Sequence, residues 1–220
     1  MLLQIARGIG SLLFPAVCLG CRSALESGSS TAPLCSGCLG TLARSLLPED
    51  KFRHLDGAAS PFLYRGAGRE LILALKYQGR RSLVPFLAGQ MAEETLRRLG
   101  DRRADLALPV PLHPTRLRER GFNQAELLAE GVAERLGIPC RPDLLIRCRP
   151  TRPQAELTRE ERSRNTRGAF DLRPETRLKG LRLLLVDDVL TTGATAEACA
   201  ALLKQAGARS VWAVTAARDP

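Results

Sequence analysis

The chain has 220 residues, enough for one full domain with a small appendage, and 45% of them are hydrophobic, which supplies a sizeable core. Lysine and arginine number 33 against 23 aspartates and glutamates, a net charge of +10 at pH 7 that favours polyanionic partners: phosphate ligands, nucleic acid or an acidic membrane face. Aromatic residues make up only 4%, which argues against a sheet that stacks bases.

The first stretch, "MLLQIARGIGSLLFPAVC", has one positive charge, an apolar run broken by two glycines and no small-residue cleavage site, so it does not read as a signal peptide. Leu2, Ile5, Ile9, Leu12 and Leu13 recur at helical spacing and predict a short amphipathic helix. No window approaches the ~18 apolar residues that span a bilayer, so no membrane insertion and a cytoplasmic location are expected.

Two C-x-x-C pairs follow, Cys18 with Cys21 and Cys35 with Cys38, separated by thirteen residues. Each such turn brings two thiolates near one point, and two turns complete a tetrahedron, the pattern of a structural Zn²⁺ site. Gly20 and Gly37 precede the second cysteine of each pair and suit a tight turn. The alternatives are a pair of disulfides, which needs an oxidising compartment, or a redox C-x-x-C. With all four positions filled by cysteine, no coordination site stays open for catalysis. Residues 1–50 are expected to form an N-terminal helix and a double zinc ribbon-like segment, and 51–220 the larger domain.

Beyond the polar linker "PEDKFRHLDG", "ASPFLYRG" reads as a strand or hairpin and "AGRELILALKYQG" as a helix stopped by Gly79. Ser82 is a candidate cap for the next helix, which tolerates Pro85 in its first turn and ends at Gly100. "DLALPVPLH" reads as a strand, "FNQAELLAEGVAERLG" as a helix and "DLLIRC" as a strand, followed by a long arginine-rich polar stretch. "RLLLVD", "TAEACAALLKQAG" and "SVWAVTAA" close the chain as strand, helix and strand. Alternating strands and helices predict an α/β fold with a mainly parallel sheet. The unalternating apolar run at 183–186 suits a strand covered on both faces.

The most informative stretch is "LLLVDDVLTTGAT". Asp187 and Asp188 are expected where the strand gives out, at the ligand-binding end of an open sheet, free of the cost of deep burial. Three hydroxyls and a glycine then lead into a helix, so that backbone N–H groups and the helix dipole favour a phosphate. Carboxylates accept only, so they suit sugar hydroxyls or Mg²⁺-bound waters. Acceptors for hydroxyls beside donors for phosphate describe a phosphorylated sugar. The competing explanation is a helix capped by Thr191, Thr192 or Asp188.

This stretch resembles the phosphoribosyl pyrophosphate (PRPP) signature of type I phosphoribosyltransferases. Together with the paired C-x-x-C motifs, "LKYQGR", "PVPLHPTRLRERGFNQAELLA" and "ERSRNTRGAF" in the same order, the chain resembles the ComF family, from about Phe14 to Ala217. These are competence-associated, phosphoribosyltransferase-like proteins with an N-terminal zinc-binding segment. The resemblance implies that Asp187 and Asp188 bind the ribose hydroxyls of PRPP and act as the catalytic pair. It implies that Thr191, Thr192, Gly193, Ala194 and Thr195 hold the 5-phosphate. The loop at 110–116, with His113 and Arg116, takes the pyrophosphate position, and residues 147–167 the place of a hood over the site. Lys76 and Tyr77 match the family's Lys-Tyr motif, and either approach the site or merely end a helix. Asn123 and Gln124 either cap a helix or contact ligand.

Two functions remain open at this level. One is transfer of a 5-phosphoribosyl group with Mg²⁺; the other is a non-catalytic single-stranded DNA-binding accessory that works with the competence machinery and uses the PRPP site for regulation. No base pocket is evident in the sequence.

Overall fold

A computed structural model describes residues 17–25, 33–42, 44–45, 52–149, 168–174 and 176–219. The helix expected over Leu2–Leu13 and most of the arginine-rich stretch 147–167 lie outside these residues. The described elements are α1 (Ser36–Gly40), β1 (Gly57–Ala59), β2 (Phe62–Leu63), α2 (Gly66–Gln78), α3 (Val84–Leu99), β3 (Leu106–Pro109), α4 (Pro114–Arg120), α5 (Gln124–Leu136), β4 (Leu145–Arg147), β5 (Phe170–Leu172), β6 (Arg182–Leu190), α6 (Ala194–Gln205) and β7 (Ser210–Arg218).

The main sheet runs β1–β7–β6–β3, and every pairing in it is parallel. β1 and β2 lie one after the other along the same edge of β7, Gly57 opposite Trp212 and Phe62 opposite Ala217. The stretch around Pro61 is therefore one interrupted edge strand, not a hairpin. Its break is consistent with a proline that cannot donate to the ladder. β4 and β5 pair antiparallel in a separate small sheet, with Arg147 opposite Phe170.

β6 explains the layering. Leu184 and Val186 join the core formed with α2, α3 and α5, whereas Leu183 and Leu185 join the core formed with α6 and the β4–β5 pair. Both faces of the strand are covered, so its side chains are apolar without alternation while still pointing alternately to opposite sides. The expectation that the strand ends at the aspartates is corrected. β6 stays in register with β7 past them, with Asp187 opposite Thr215 and Val189 opposite Ala217. By the same alternation, Asp188 faces the α2/α5 layer and Asp187 the α6 layer.

Local signals account for most helix ends. Gly79 terminates α2 in the left-handed region, φ 61°, with its N–H bonded to the Ala74 carbonyl. Asn123 caps α5, its Oδ1 accepting from the Ala125 N–H at 3.1 Å. Ser82 does not cap α3: it sits inside a 3₁₀ turn, Arg81–Leu83, and Leu83 precedes the helix without a side-chain bond.

The four-cysteine segment shares the domain's core, since Cys18, Leu34 and Leu42 cluster with Leu71, Ile72 and Leu75 of α2. Arg44 bridges to Phe62, and the Ser45 N–H donates to the Pro61 carbonyl at 3.0 Å. α2 itself is seated closely on β2: a Cβ at Gly68 would lie 2.6 Å from the Leu63 carbonyl oxygen. That contact fixes a helix whose far end carries Lys76 and Tyr77.

Candidate ligand site

A cleft of about 520 Å³ opens over the carboxyl ends of β3, β6 and β7. Lys76 and Tyr77 reach it from α2, His113 and Arg116 from the start of α4, and Arg147 from β4. Asp187, Asp188, Thr191, Gly193, Ala194 and Thr195 complete its floor and one wall. Thr192 belongs to the same turn but does not line the cleft; its hydroxyl is 3.5 Å from the Ala194 N–H, which donates to it.

Asp188 is buried, contrary to the expectation that the pair escapes desolvation. It is held on both oxygens. Lys76 Nζ lies 2.7 Å from Oδ1, and Gln124 Nε2 donates to Oδ2 at 2.6 Å. Burial works against the Lys76 ammonium, but the Asp188 carboxylate more than compensates and raises its pKa. A buried ion pair persists only with such additional hydrogen bonds. Asp187 is half-buried and accepts from the Asp188 N–H at 2.8 Å. Burial, with the neighbouring Asp188 charge, pushes its pKa up to about 7, against the pull of Lys76 and Arg147. The cleft thus carries two carboxyl groups in unequal surroundings, one paired on both oxygens and one whose pKa is pushed up to about 7.

At the other end, Gly193 precedes α6 with φ 75° and offers no side-chain cap. A Cβ there would meet the Phe52 ring at 3.1 Å. The first N–H groups of a helix lack intrahelical partners and carry the positive end of its dipole, so the turn presents donors to an anion. Glu197, in the first turn of α6, accepts from the His54 and Leu55 N–H groups at 3.1 and 3.0 Å and so fastens residues 52–56 behind that turn.

α4 supplies the basic rim. His113 caps it, Nδ1 accepting from the Thr115 N–H at 3.3 Å, which leaves Nε2 as the nitrogen able to reach a ligand. Arg116 is exposed, 3.7 Å from Glu119. Arg120 donates to Gln124 Oε1 and lies 5.4 Å from the centre of the Tyr77 ring. Lys76 is therefore part of the site and not only the end of a helix. Arg120, Tyr64 and Gln124 also line the cleft; of these, Arg120 and Gln124 carry a local signal, lying in the "RERGFNQ" turn that joins α4 to α5.

The second cluster is formed by Cys18, Cys21, Cys35 and Cys38, whose sulfurs all lie within 4.8 Å of one another. The Cys21 and Cys35 sulfurs are 3.7 Å apart; a tetrahedron with metal–sulfur bonds of about 2.3 Å has edges of about 3.8 Å. Backbone N–H groups of Gly20 and Cys35 donate to Cys18 Sγ at 3.3 Å each, and that of Cys38 to Cys35 Sγ at 3.4 Å. Burial raises the Cys18 thiol pKa, but the N–H groups of Cys21, Cys35 and Gly20 together bring it down to about 6. The cluster could hold a metal ion such as zinc. Gly20 is required by close approach, since a Cβ would lie 2.7 Å from Cys38 Sγ, whereas Gly37 sits in α1 with nothing within 4 Å and is not needed for the turn.

Residues 123–220 match the phosphoribosyl transferase domain family. The chain is 37% identical over 144 residues to DNA utilization protein YhgH of Salmonella typhimurium, covering 64% of this chain and 63% of that protein. It is 35% identical over 113 residues to Competence protein F of Haemophilus influenzae, covering 50% of this chain and 49% of that one. Competence protein ComFC of Streptococcus pneumoniae is 32% identical over 150 residues, 68% of this chain and 63% of that protein. These relatives support the ComF family. The alignments span less than two thirds of the length of each of these relatives. The fold is the type I phosphoribosyltransferase class expected of ComF proteins, with the four-cysteine cluster near its N-terminal end. Among the described residues no helix is long and apolar enough to cross a membrane.

The raised Asp187 pKa has a stability consequence. A carboxyl whose folded pKa lies near 7, above an unfolded value of about 3.9, stabilises the fold fully below the lower value. That contribution is lost as pH rises through the higher one. Urea unfolding of the unaltered protein and of Asp187→Asn across this range should show a decline in stability in the first that is largely absent in the second. Equal slopes would remove Asp187 as the titrating group.

Proposed function

We propose that the cleft binds PRPP, with the ribose hydroxyls on Asp187 and Asp188 and the 5-phosphate in the turn Thr191–Thr195. The observation that carries this reading is the division of one cleft into an acceptor end and a donor end. Asp188 is paired with Lys76, and a carboxylate only accepts, so it favours hydroxyl donors over a bare anion. The turn before α6 does the reverse. A helix dipole contributes about 0.3–1 kcal/mol and micromolar affinity needs about 8, so both ends must act on the same molecule.

The chemistry that fits is transfer of the 5-phosphoribosyl group. Departure of pyrophosphate leaves positive charge at the anomeric carbon, which the carboxylates beneath the ring stabilise. Arg116 and His113 lie at the rim, where the leaving group's negative charge would gather. Mg²⁺ brought in with PRPP would supply further neutralisation of the pyrophosphate. Four thiolates fill every position of a tetrahedral zinc site, so the zinc in this reading is structural. The setting is cytoplasmic, where PRPP and reduced cysteines occur together.

A second reading is favoured by the net charge of +10 and by Arg116 and Arg120, which α4 brings to the cleft rim. On this reading the protein binds single-stranded DNA beside the competence machinery, as the names of its relatives suggest, and PRPP occupancy regulates it.

Replacing both Asp187 and Asp188 by alanine separates the two. Binding of isotopically traced PRPP and any metal-dependent release of its pyrophosphate should be lost, while salt-dependent binding of single-stranded DNA should persist. If the unaltered protein neither binds PRPP nor releases pyrophosphate with any acceptor, the phosphoribosyl reading fails. For the cysteines, native mass spectrometry should find one zinc per chain, lost when Cys18 and Cys35 are replaced by serine; two disulfides and no metal would rule out the structural zinc.

A further inference from the structure

The contacts around Asp188 close into a ring. Asp188 on β6 pairs with Lys76, and accepts from the amide nitrogen of Gln124. The amide oxygen of Gln124 accepts from Arg120, whose guanidinium covers the ring of Tyr77. Tyr77 is the residue after Lys76 in α2, which returns the circuit to its start. We propose that Gln124 is a positioning residue that couples the acceptor end of the cleft to its basic rim, fixing Asp188 for ribose hydroxyls with its amide nitrogen and Arg120 for the ligand's outer phosphates with its amide oxygen. The inference rests on the phosphoribosyl reading above and names a residue that reading does not use.

Three observations carry it. First, Gln124 is only 4% exposed and makes both bonds from a buried position. Second, its backbone is fixed independently: the neighbouring cap Asn123 donates through Nδ2 to the Val110 carbonyl at 3.2 Å, tying the start of α5 to the end of β3. Third, its two partners leave only one orientation of the amide. A carboxylate only accepts and a guanidinium only donates, so the nitrogen must face Asp188 and the oxygen must face Arg120. The glutamine amide offers a donor and an acceptor side by side on one planar group, as these two partners require. Glutamate cannot donate to Asp188 while ionised, and leucine can satisfy neither partner.

The clamp leaves the site competent. Each Asp188 oxygen uses one lone pair on Lys76 or Gln124 and keeps another for a ligand hydroxyl. With Lys76 on Oδ1 and Gln124 on Oδ2, the carboxylate cannot rotate about its own axis without breaking both bonds. Arg120, bonded to the Gln124 amide oxygen and lying over the Tyr77 ring, is held at the rim. One ligand that touches both Asp188 and Arg120 meets groups already oriented by the same side chain.

The test compares a ligand that spans the cleft with one that does not. PRPP with Mg²⁺ and, separately, inorganic phosphate are titrated into the full chain, its Gln124→Leu variant and its Gln124→Glu variant. Gln124→Leu should weaken PRPP by about tenfold or more while leaving phosphate within about twofold, because phosphate alone needs only the turn before α6. Gln124→Glu should be as weak at about pH 8 and should recover towards the unaltered protein at about pH 6. The new carboxyl, faced by Asp188, Asp187, Lys76 and Arg120, is pushed up by burial and the like charge of Asp188, and once protonated it can donate to that carboxylate. Gln124→Leu should show no such recovery, and a structural role would produce none in either variant. If Gln124→Leu does not fold, the pH recovery of Gln124→Glu decides alone. PRPP affinity unchanged by either substitution, or equal loss of PRPP and phosphate without pH recovery, would overturn the positioning role. Failure of the unaltered protein to bind PRPP would instead sink the phosphoribosyl reading and this inference with it.

Discussion

The ion pair between Lys76 and Asp188 is the interaction on which the rest of the cleft depends. Two ions removed from water cost several kcal/mol each, and removing one partner of such a pair costs about 3–5 kcal/mol because the other is left uncompensated. The fold meets that cost by bringing three layers to one point. β6 carries the carboxylate, α2 delivers the ammonium, and α5 adds the Gln124 amide. α2 can deliver Lys76 only because its first turn is pressed against the Leu63 carbonyl at Gly68 and shares a core with the four-cysteine segment. The N-terminal cluster and the cleft are therefore joined by one helix.

Adjacent aspartates on a strand do not share an environment, and this lets two like charges coexist. The strand's alternation sends Asp188 towards Lys76 and Gln124, and Asp187 towards the layer holding Arg147 and Cys199. One carboxylate gains a buried cation; the other is left with burial and a negative neighbour, and its pKa rises to about 7. Two adjacent carboxyl groups thus face the cleft from different surroundings, one paired on both oxygens and one with a raised pKa.

The motif residues were legible in the sequence because they are local. An apolar strand, two carboxylates and a hydroxyl-rich turn follow one another within thirteen residues, and all but Thr192 of the expected turn residues line the cleft. The cysteine cluster was legible for the same reason, since its spacing alone brings the sulfurs together. What the sequence hid is what long-range packing decides. Gln124 meets Asp188 across 64 positions, and Glu197 reaches His54 across 143. β5 is three residues long and exists through its pairing with β4, too short for any periodic signal. The misread cap at Ser82 and the unneeded Gly37 show the converse, residue types with the right local chemistry at positions where the backbone does not call for it.

The central claim, that one cleft holds the ribose and the 5-phosphate of a single molecule at opposite ends, is tested most directly by a crystal structure of the full chain with PRPP. The ribose hydroxyls are expected within hydrogen-bonding distance of Asp187 and Asp188, and the 5-phosphate on the backbone N–H groups of the turn before α6. A phosphate bound on the arginines of α4, with the aspartates and the turn making no contact with the ligand, would contradict it.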